Sequence, residues 1–189
     1  MGNEYYPWGG EFTACNLKGY VAVVLLNVDY TPTNKVAIYG SLKTENIGIE
    51  KIVANVISNP NIRYLVICGE EIRGHRSGSS LIALNKNGIN DQHRIIDAPG
   101  AIPYIENLNN EAIERFRKQI EIVDLIDVKD KDRIDEAVED CIKKSPPSFG
   151  EPYIAIRIKP EVKTLLDDKR ALHSKIVMNY MGKIKKRGE

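Results

Sequence analysis

The sequence predicts an α/β fold: a mainly parallel sheet with helices on both faces. Three observations carry this. Unbroken runs of β-branched and apolar residues read as strands buried on both faces. Stretches with apolar residues at helical spacing separate them, and the links between the two are short. The 189 residues are 42% hydrophobic and 28% charged, enough for one buried core plus an appendage.

Taken in order, Tyr20–Asn27 (YVAVVLLN) reads as a central strand, and Lys35–Tyr39 as a second, shorter one. Thr44–Ser58 places Ile49, Ile52, Val53, Val56 and Ile57 on one helical face, and Asn59-Pro60 stops it. Ile62–Cys68 (IRYLVIC) is the next strand. Leu81–Asn87 is a short helix ended by Gly88. Arg94–Ala98 reads as a strand broken by Pro99 and Gly100. Asn110–Gln119 is helical, Ile120–Asp127 (IEIVDLID) a strand, and Lys131–Lys144 a helix ended by Ser145-Pro146-Pro147. Tyr153–Ile158 adds an edge strand, and the polar remainder from Pro160 reads as helical. A domain over 1–148 with an appendage over 149–189 is therefore expected, the residues after Pro160 being dispensable for ligand binding.

The formal net charge is +1, which points to neither nucleic acid nor a membrane surface. Lys183, Lys185, Lys186 and Arg187 form a solvated tail or a docking surface for an acidic partner. Cys15, Cys68 and Cys141 are isolated, so neither a disulfide framework nor a zinc site is indicated, and a reducing cytoplasm is expected. The N-terminus has no signal core, and no apolar run reaches the ~18 residues of a membrane helix, so no direct membrane insertion is expected.

Ligands of open α/β sheets bind beyond the carboxyl ends of the strands. Three loops qualify. The first includes Gly40, Leu42, Thr44, Glu45 and Asn46; Lys43, Glu45 and Glu50 are candidate catalytic groups, while Thr44 and Glu45 also read as helix-start chemistry. The second includes Gly69, Glu70, Gly74, His75, Ser77 and Gly78. The third is Ala98, Pro99, Gly100, Ala101, Ile102 and Pro103. Glycines in the last two let backbone approach a bulky ligand. A loop histidine is commonly plain surface, but His75 sits at a strand's carboxyl end, where neutral imidazole can bind a transition metal. Glu70 or Glu71 could orient its other nitrogen, or both could be solvated acids. His93 and His173 lack companions at ligand spacing. Dinucleotide, P-loop and nucleophile-elbow motifs are missing.

The motifs KTENIGIEK, NPNIR, CGEEIRGH and GAIPYIEN, in that order, resemble the A subunit of the tetrahydromethanopterin S-methyltransferase of methanogenic archaea. The likeness runs from YYPW to about Cys141. It implies a Rossmann-like fold and a cobamide, a cobalamin-type corrinoid whose cobalt is ligated by the histidine of CGxExxGH, here His75. It also implies a role in one-carbon metabolism and methanogenesis: accepting a methyl group from methyl-tetrahydromethanopterin and passing it to coenzyme M, with other methyltransferase subunits as partners. The chain departs from the family in Ser77 and Ser79, where threonine and glutamine are expected, and in a charged rather than hydrophobic C-terminus. A cytoplasmic member, peripheral to a membrane complex or apart from one, is the expectation. The alternative is a non-catalytic paralogue that binds corrinoid or a partner without methyl transfer or sodium coupling.

Overall fold

Four parallel strands carry the molecule, and each is built from β-branched and apolar residues that alternate between two faces. The computed structural model describes residues 5–156 and two short strands beyond them. The chain divides into two compact units, Met1–Ile158 and Lys159–Glu189. In the first, β1 (Phe12–Ala14), β2 (Val21–Leu25), β3 (Ile38–Ser41), β4 (Tyr64–Gly69) and β5 (Glu121–Ile126) form one sheet in the order β1-β3-β2-β4-β5. β3, β2, β4 and β5 are mutually parallel, while β1 pairs antiparallel with β3. The chain thus reverses its direction of winding between β2 and β4. Their carboxyl ends are tied by an isolated bridge, with the Asn27 N–H donating to Glu70 O at 3.0 Å.

Period-two alternation divides the core. Ala22, Val24, Ile38, Leu65 and Ile67 pack on one face with α1 (Ile47–Ser58), α2 (Ser77–Asn87) and α3 (Asn110–Gln119). Val21, Val23, Val66 and Cys68 pack on the other with Ile134, Val138 and Cys141 of α4 (Lys131–Lys144). Helices therefore cover both faces, as the sequence predicts. The expected strands over Tyr20–Asn27, Lys35–Tyr39, Ile62–Cys68 and Ile120–Asp127 are β2 to β5, with shifted ends.

Several expectations are corrected. Arg94–Ala98 is not a strand: it makes only single bridges, Ile89 with Ile95 and Arg94 with Tyr104. Pro99 and Pro103 lack the N–H groups a longer ladder would need. α2 begins at Ser77, a turn before the expected Leu81, because the Glu71 carboxylate caps it, accepting from Ser79 N–H (2.8 Å) and Oγ (2.5 Å). Tyr153–Ile156 is not a strand either. Its apolar side chains pack on the core, and the Tyr153 N–H donates to Ile57 O; Arg157 and Ile158 lie outside the described residues. In the second unit, where the sequence predicts a helix, β6 (Ile176–Met178) and β7 (Ile184–Lys186) pair antiparallel. Ile176 and Val177 are β-branched, which suits a strand better than a helix. The rest of the expected helical remainder, with His173, lies outside the described residues.

One buried amide ties three elements at the amino-terminal end of the sheet. Gln119 closes α3, and its Nε2 donates to Asn59 O and Ile62 O at 3.0 Å and to Val56 O at 3.3 Å. Gln119→Leu leaves those buried carbonyls short of a donor, and the expected loss is about 1–3 kcal/mol. Urea unfolding of the two proteins checks it.

Candidate functional site

The carboxyl ends of β3 and β4 deliver two loops to the same edge of the sheet, and the segment between α2 and α3 brings a third. After β3, Leu42 is buried and its N–H donates to Leu25 O, which fixes the path into α1. Thr44 Oγ1 accepts from Gly48 N–H and Asn46 Oδ1 from Ile47 N–H, so these two residues cap α1. Glu45, between them, turns inward and is only 4% exposed.

Glu45 joins the three loops. Its Oε2 lies 3.1 Å from His75 Nδ1, and its Oε1 accepts the Ile102 N–H at 3.1 Å. Gly100 closes the arrangement. Its N–H donates to Ser80 Oγ, which in turn donates to Arg76 O. A Cβ added at Gly100 would stand 2.7 Å from Ser80 Oγ, 2.8 Å from His75 O and 3.0 Å from Glu45 Cγ, so only glycine permits this approach. The 40–46, 69–78 and 98–103 loops thus converge as the strand-end rule predicts. The third does so without following a strand of the sheet.

Burial pushes the Glu45 carboxyl up, but bonds from its own backbone N–H, from the Ile102 N–H and from His75 outweigh it and hold the carboxyl below its ordinary value. An ionised carboxylate only accepts, so His75 Nδ1 carries a proton, and a neutral ring keeps its lone pair on Nε2. The His75 side chain is 57% exposed, and Nε2 has no hydrogen-bond partner among the described residues. The donor set therefore presents one outward imidazole nitrogen backed by a carboxylate, the arrangement of protein metal ligands. Three exposed isoleucines belong to these loops or adjoin them: Ile47, Ile72 and Ile102, the last two 56% and 58% exposed. Exposed apolar side chains of this kind suit contact with a large, partly apolar ligand.

The other sequence candidates are placed as follows. Glu70 and Glu71, read either as an orienting partner of the imidazole or as solvated acids, do not reach it. Glu70 pairs with Lys129, and Glu71 caps α2. Glu45, thirty residues from His75 in sequence, takes that position. Gly40 admits β1, since a Cβ there would lie 2.5 Å from Glu11 O. Gly69 (φ 97°) closes against Val28, Gly74 (φ 94°) makes the turn before His75, and Gly78 packs on Leu26 and Ile126 beside buried Ser77. In the third loop Ala98 and Pro103 are buried, while Pro99 and Ala101 are exposed.

Sequence reasoning misses Ser80, and it weighs Glu50 as a catalytic acid where the structure gives it a structural role. Glu50, 1% exposed, accepts N–H groups from Glu106 and Asn107 and the Asn107 side-chain amide, so a buried carboxylate of α1 anchors the segment that follows the third loop. His93 Nδ1 bonds Ile105 O. Cys68 is pushed up to about 12 by burial, so it is no nucleophile. Among the described residues no group of three or more His, Cys, Asp or Glu could hold an ion, and no helix is long and apolar enough to cross a membrane.

A folded-state pKa held below the unfolded one contributes stability that is present above the unfolded value, near 4.5, and is lost as pH falls through the lower folded value. Acidification below about pH 4.5 should therefore release the third loop, seen as a lower hydrogen-exchange protection factor at the Ile102 amide, taken against an unstructured amide at the same pH. In Glu45→Gln that protection should lose this acid dependence.

Residues 2–164 match the family model described as the A subunit of tetrahydromethanopterin S-methyltransferase. The chain is 56% identical over 124 residues to the tetrahydromethanopterin S-methyltransferase A subunit 1 of Methanothermobacter thermautotrophicus, covering 65% of this chain and 52% of that protein. It is 45% identical over 157 residues to the A subunit of the same enzyme in Methanosarcina acetivorans, covering 80% and 65%. It is also 45% identical over 157 residues to the A subunit 2 of M. thermautotrophicus, covering 81% and 85%. The chain spans about half the length of the first of these relatives. With the motifs at the convergence of the three loops, these matches establish that the chain belongs to the A-subunit family of tetrahydromethanopterin S-methyltransferase.

Proposed function

We propose that this chain holds a cobamide at its strand-end loops, with His75 Nε2 as the nitrogen that would ligate cobalt, and carries a methyl group between partner subunits. The observation that supports this most directly is the pairing of His75 Nδ1 with the buried Glu45 carboxylate, which leaves Nε2 outward and unengaged among the described residues. When bound, the corrinoid supplies the metal centre that accepts and releases the methyl group. Family membership and the relatives' names support methyl-tetrahydromethanopterin as the donor, with coenzyme M as the acceptor by resemblance.

The protein's own part is positional. Glu45 fixes the tautomer and ring orientation of His75 and raises the basicity of Nε2. Gly74 lets the turn present the ring. Ile72 and Ile102 offer apolar surface to the macrocycle, and Gly100 keeps the third loop close beneath it. Because Glu45 also holds the Ile102 N–H, a movement of the imidazole is felt at the third loop, where a partner subunit could sense it.

Visible spectroscopy of the protein mixed with hydroxocobalamin and dialysed tests this. The unaltered chain should retain the corrinoid with a nitrogen-ligated spectrum. His75→Ala should shift it to the water-ligated form while keeping much of the binding, and Glu45→Gln should weaken ligation about 10–100-fold. An unchanged spectrum in His75→Ala with corrinoid still bound would overturn the ligand assignment. Methyl transfer assayed with donor and acceptor subunits then separates a working carrier from a corrinoid store.

A further inference from the structure

We propose that the open edge of β5 docks another protein, which adds an extended segment there with a lysine or arginine set opposite Asp124. This does not rest on the cobamide reading. β4 and β5 are each six residues long, yet every residue of β4 is buried and none of β5 is. β5 ends the sheet: β4 pairs with one side of it, and no strand among the described residues pairs with the other. The opposite edge, β1, has only three residues and offers a shorter template.

Parallel pairing decides which groups lie bare. The Glu121 N–H donates to Arg63 O and the Asp127 N–H to Gly69 O, so the odd-numbered residues of β5 turn their N–H groups to β4. Those of Ile122, Asp124 and Ile126 point outward. The Ile126 N–H donates to Asp124 Oδ1 at 3.0 Å, where a neighbouring strand would otherwise supply a carbonyl. The strand is apolar on both faces. Ile122 and Ile126 pack against one core and Val123 and Leu125 against the other, all four only partly buried. A strand laid alongside would cover both rows.

Asp124 selects the occupant. A strand that pairs along β5 needs the Ile126 N–H, so the carboxylate must leave it. A cation across the pair draws the carboxylate off and replaces the lost hydrogen bond with a charge-assisted one, which an apolar or acidic residue cannot do. Room for that cation lies alongside, in an open hollow of about 360 Å³ lined by Ser79, Ile82, Asp124, Ile126 and Asp127. Ile82 and Ile126 offer apolar surface to the stem of a lysine or arginine, and Asp124 receives its head. Asp124 has no ion-pair partner among the described residues. Lys129 and Arg76, which share a separate hollow with Asp127, stand with Glu70 and Glu71, and Lys144 stands with Glu121 at the start of the strand. The same carboxylate turns away a second copy of this chain. In the register that pairs 122–126 with itself, Asp124 faces its own equivalent, and like charges directly opposite destabilise a strand pair.

Two short capped peptides test this on the full chain. Both alternate threonine and valine; one has a central lysine and the other a central glutamate. The lysine peptide should bind about three- to tenfold more tightly by fluorescence anisotropy, and should slow hydrogen exchange at the Ile122, Asp124 and Ile126 amides. Asp124→Lys should reverse the preference, and Asp124→Asn should abolish it; the side chain is exposed, so both variants should fold. Equal binding of the two peptides, binding of neither, or protection only of amides elsewhere overturns the proposal. So does slow exchange at Ile122 and Asp124 in the chain alone. Protection that rises with protein concentration would mean that a second copy holds the edge, and protection independent of it that another part of this chain does.

Discussion

The candidate site depends on one buried carboxylate. Glu45 is accessible to almost no water, yet it stays ionised because hydrogen-bond donors converge on it from its own backbone, from Ile102 and from His75. A buried charge is tolerable only with such partners, and here each partner belongs to a different loop. The cost of leaving any one of them unmade is what holds the three loops in register. Gly100 is a consequence of this constraint: a larger residue would push the third loop off His75 and strand the carboxylate.

The sheet beneath is largely legible in the sequence because its information is local. β2 and β4 are unbroken apolar runs, β5 is apolar but for Glu121 and Asp124, and α1, α3 and α4 repeat apolar residues every three or four positions. Where reading fails, tertiary packing has replaced local pattern. Ile95 and Ile156 look like strand residues because they are apolar and are packed on the core, but no ladder accompanies them. β1 is three residues long, too short for alternation to register, and exists because Gly40 lets Glu11 lie close.

The site divides the same way. That His75 stands at a strand's carboxyl end beside glycines follows from chain order, so it is visible in the sequence. Which acid meets it does not follow. Glu70 and Glu71 are near in sequence, but the side-chain directions set by β4 and the start of α2 send them elsewhere. Glu45 reaches the ring only because β3, β2 and β4 lie side by side. Thr44 and Asn46 carry the capping that the sequence pattern shares with Glu45, and this leaves Glu45 available.

The bridge between Asn27 and Glu70 has a further consequence. In doubly wound sheets the gap where winding reverses is the usual cradle for a ligand, and here backbone hydrogen bonds span it. A ligand of these loops would therefore rest on main chain that is already hydrogen-bonded to itself, and would be recognised by side chains of the rim and not by free peptide groups of the floor.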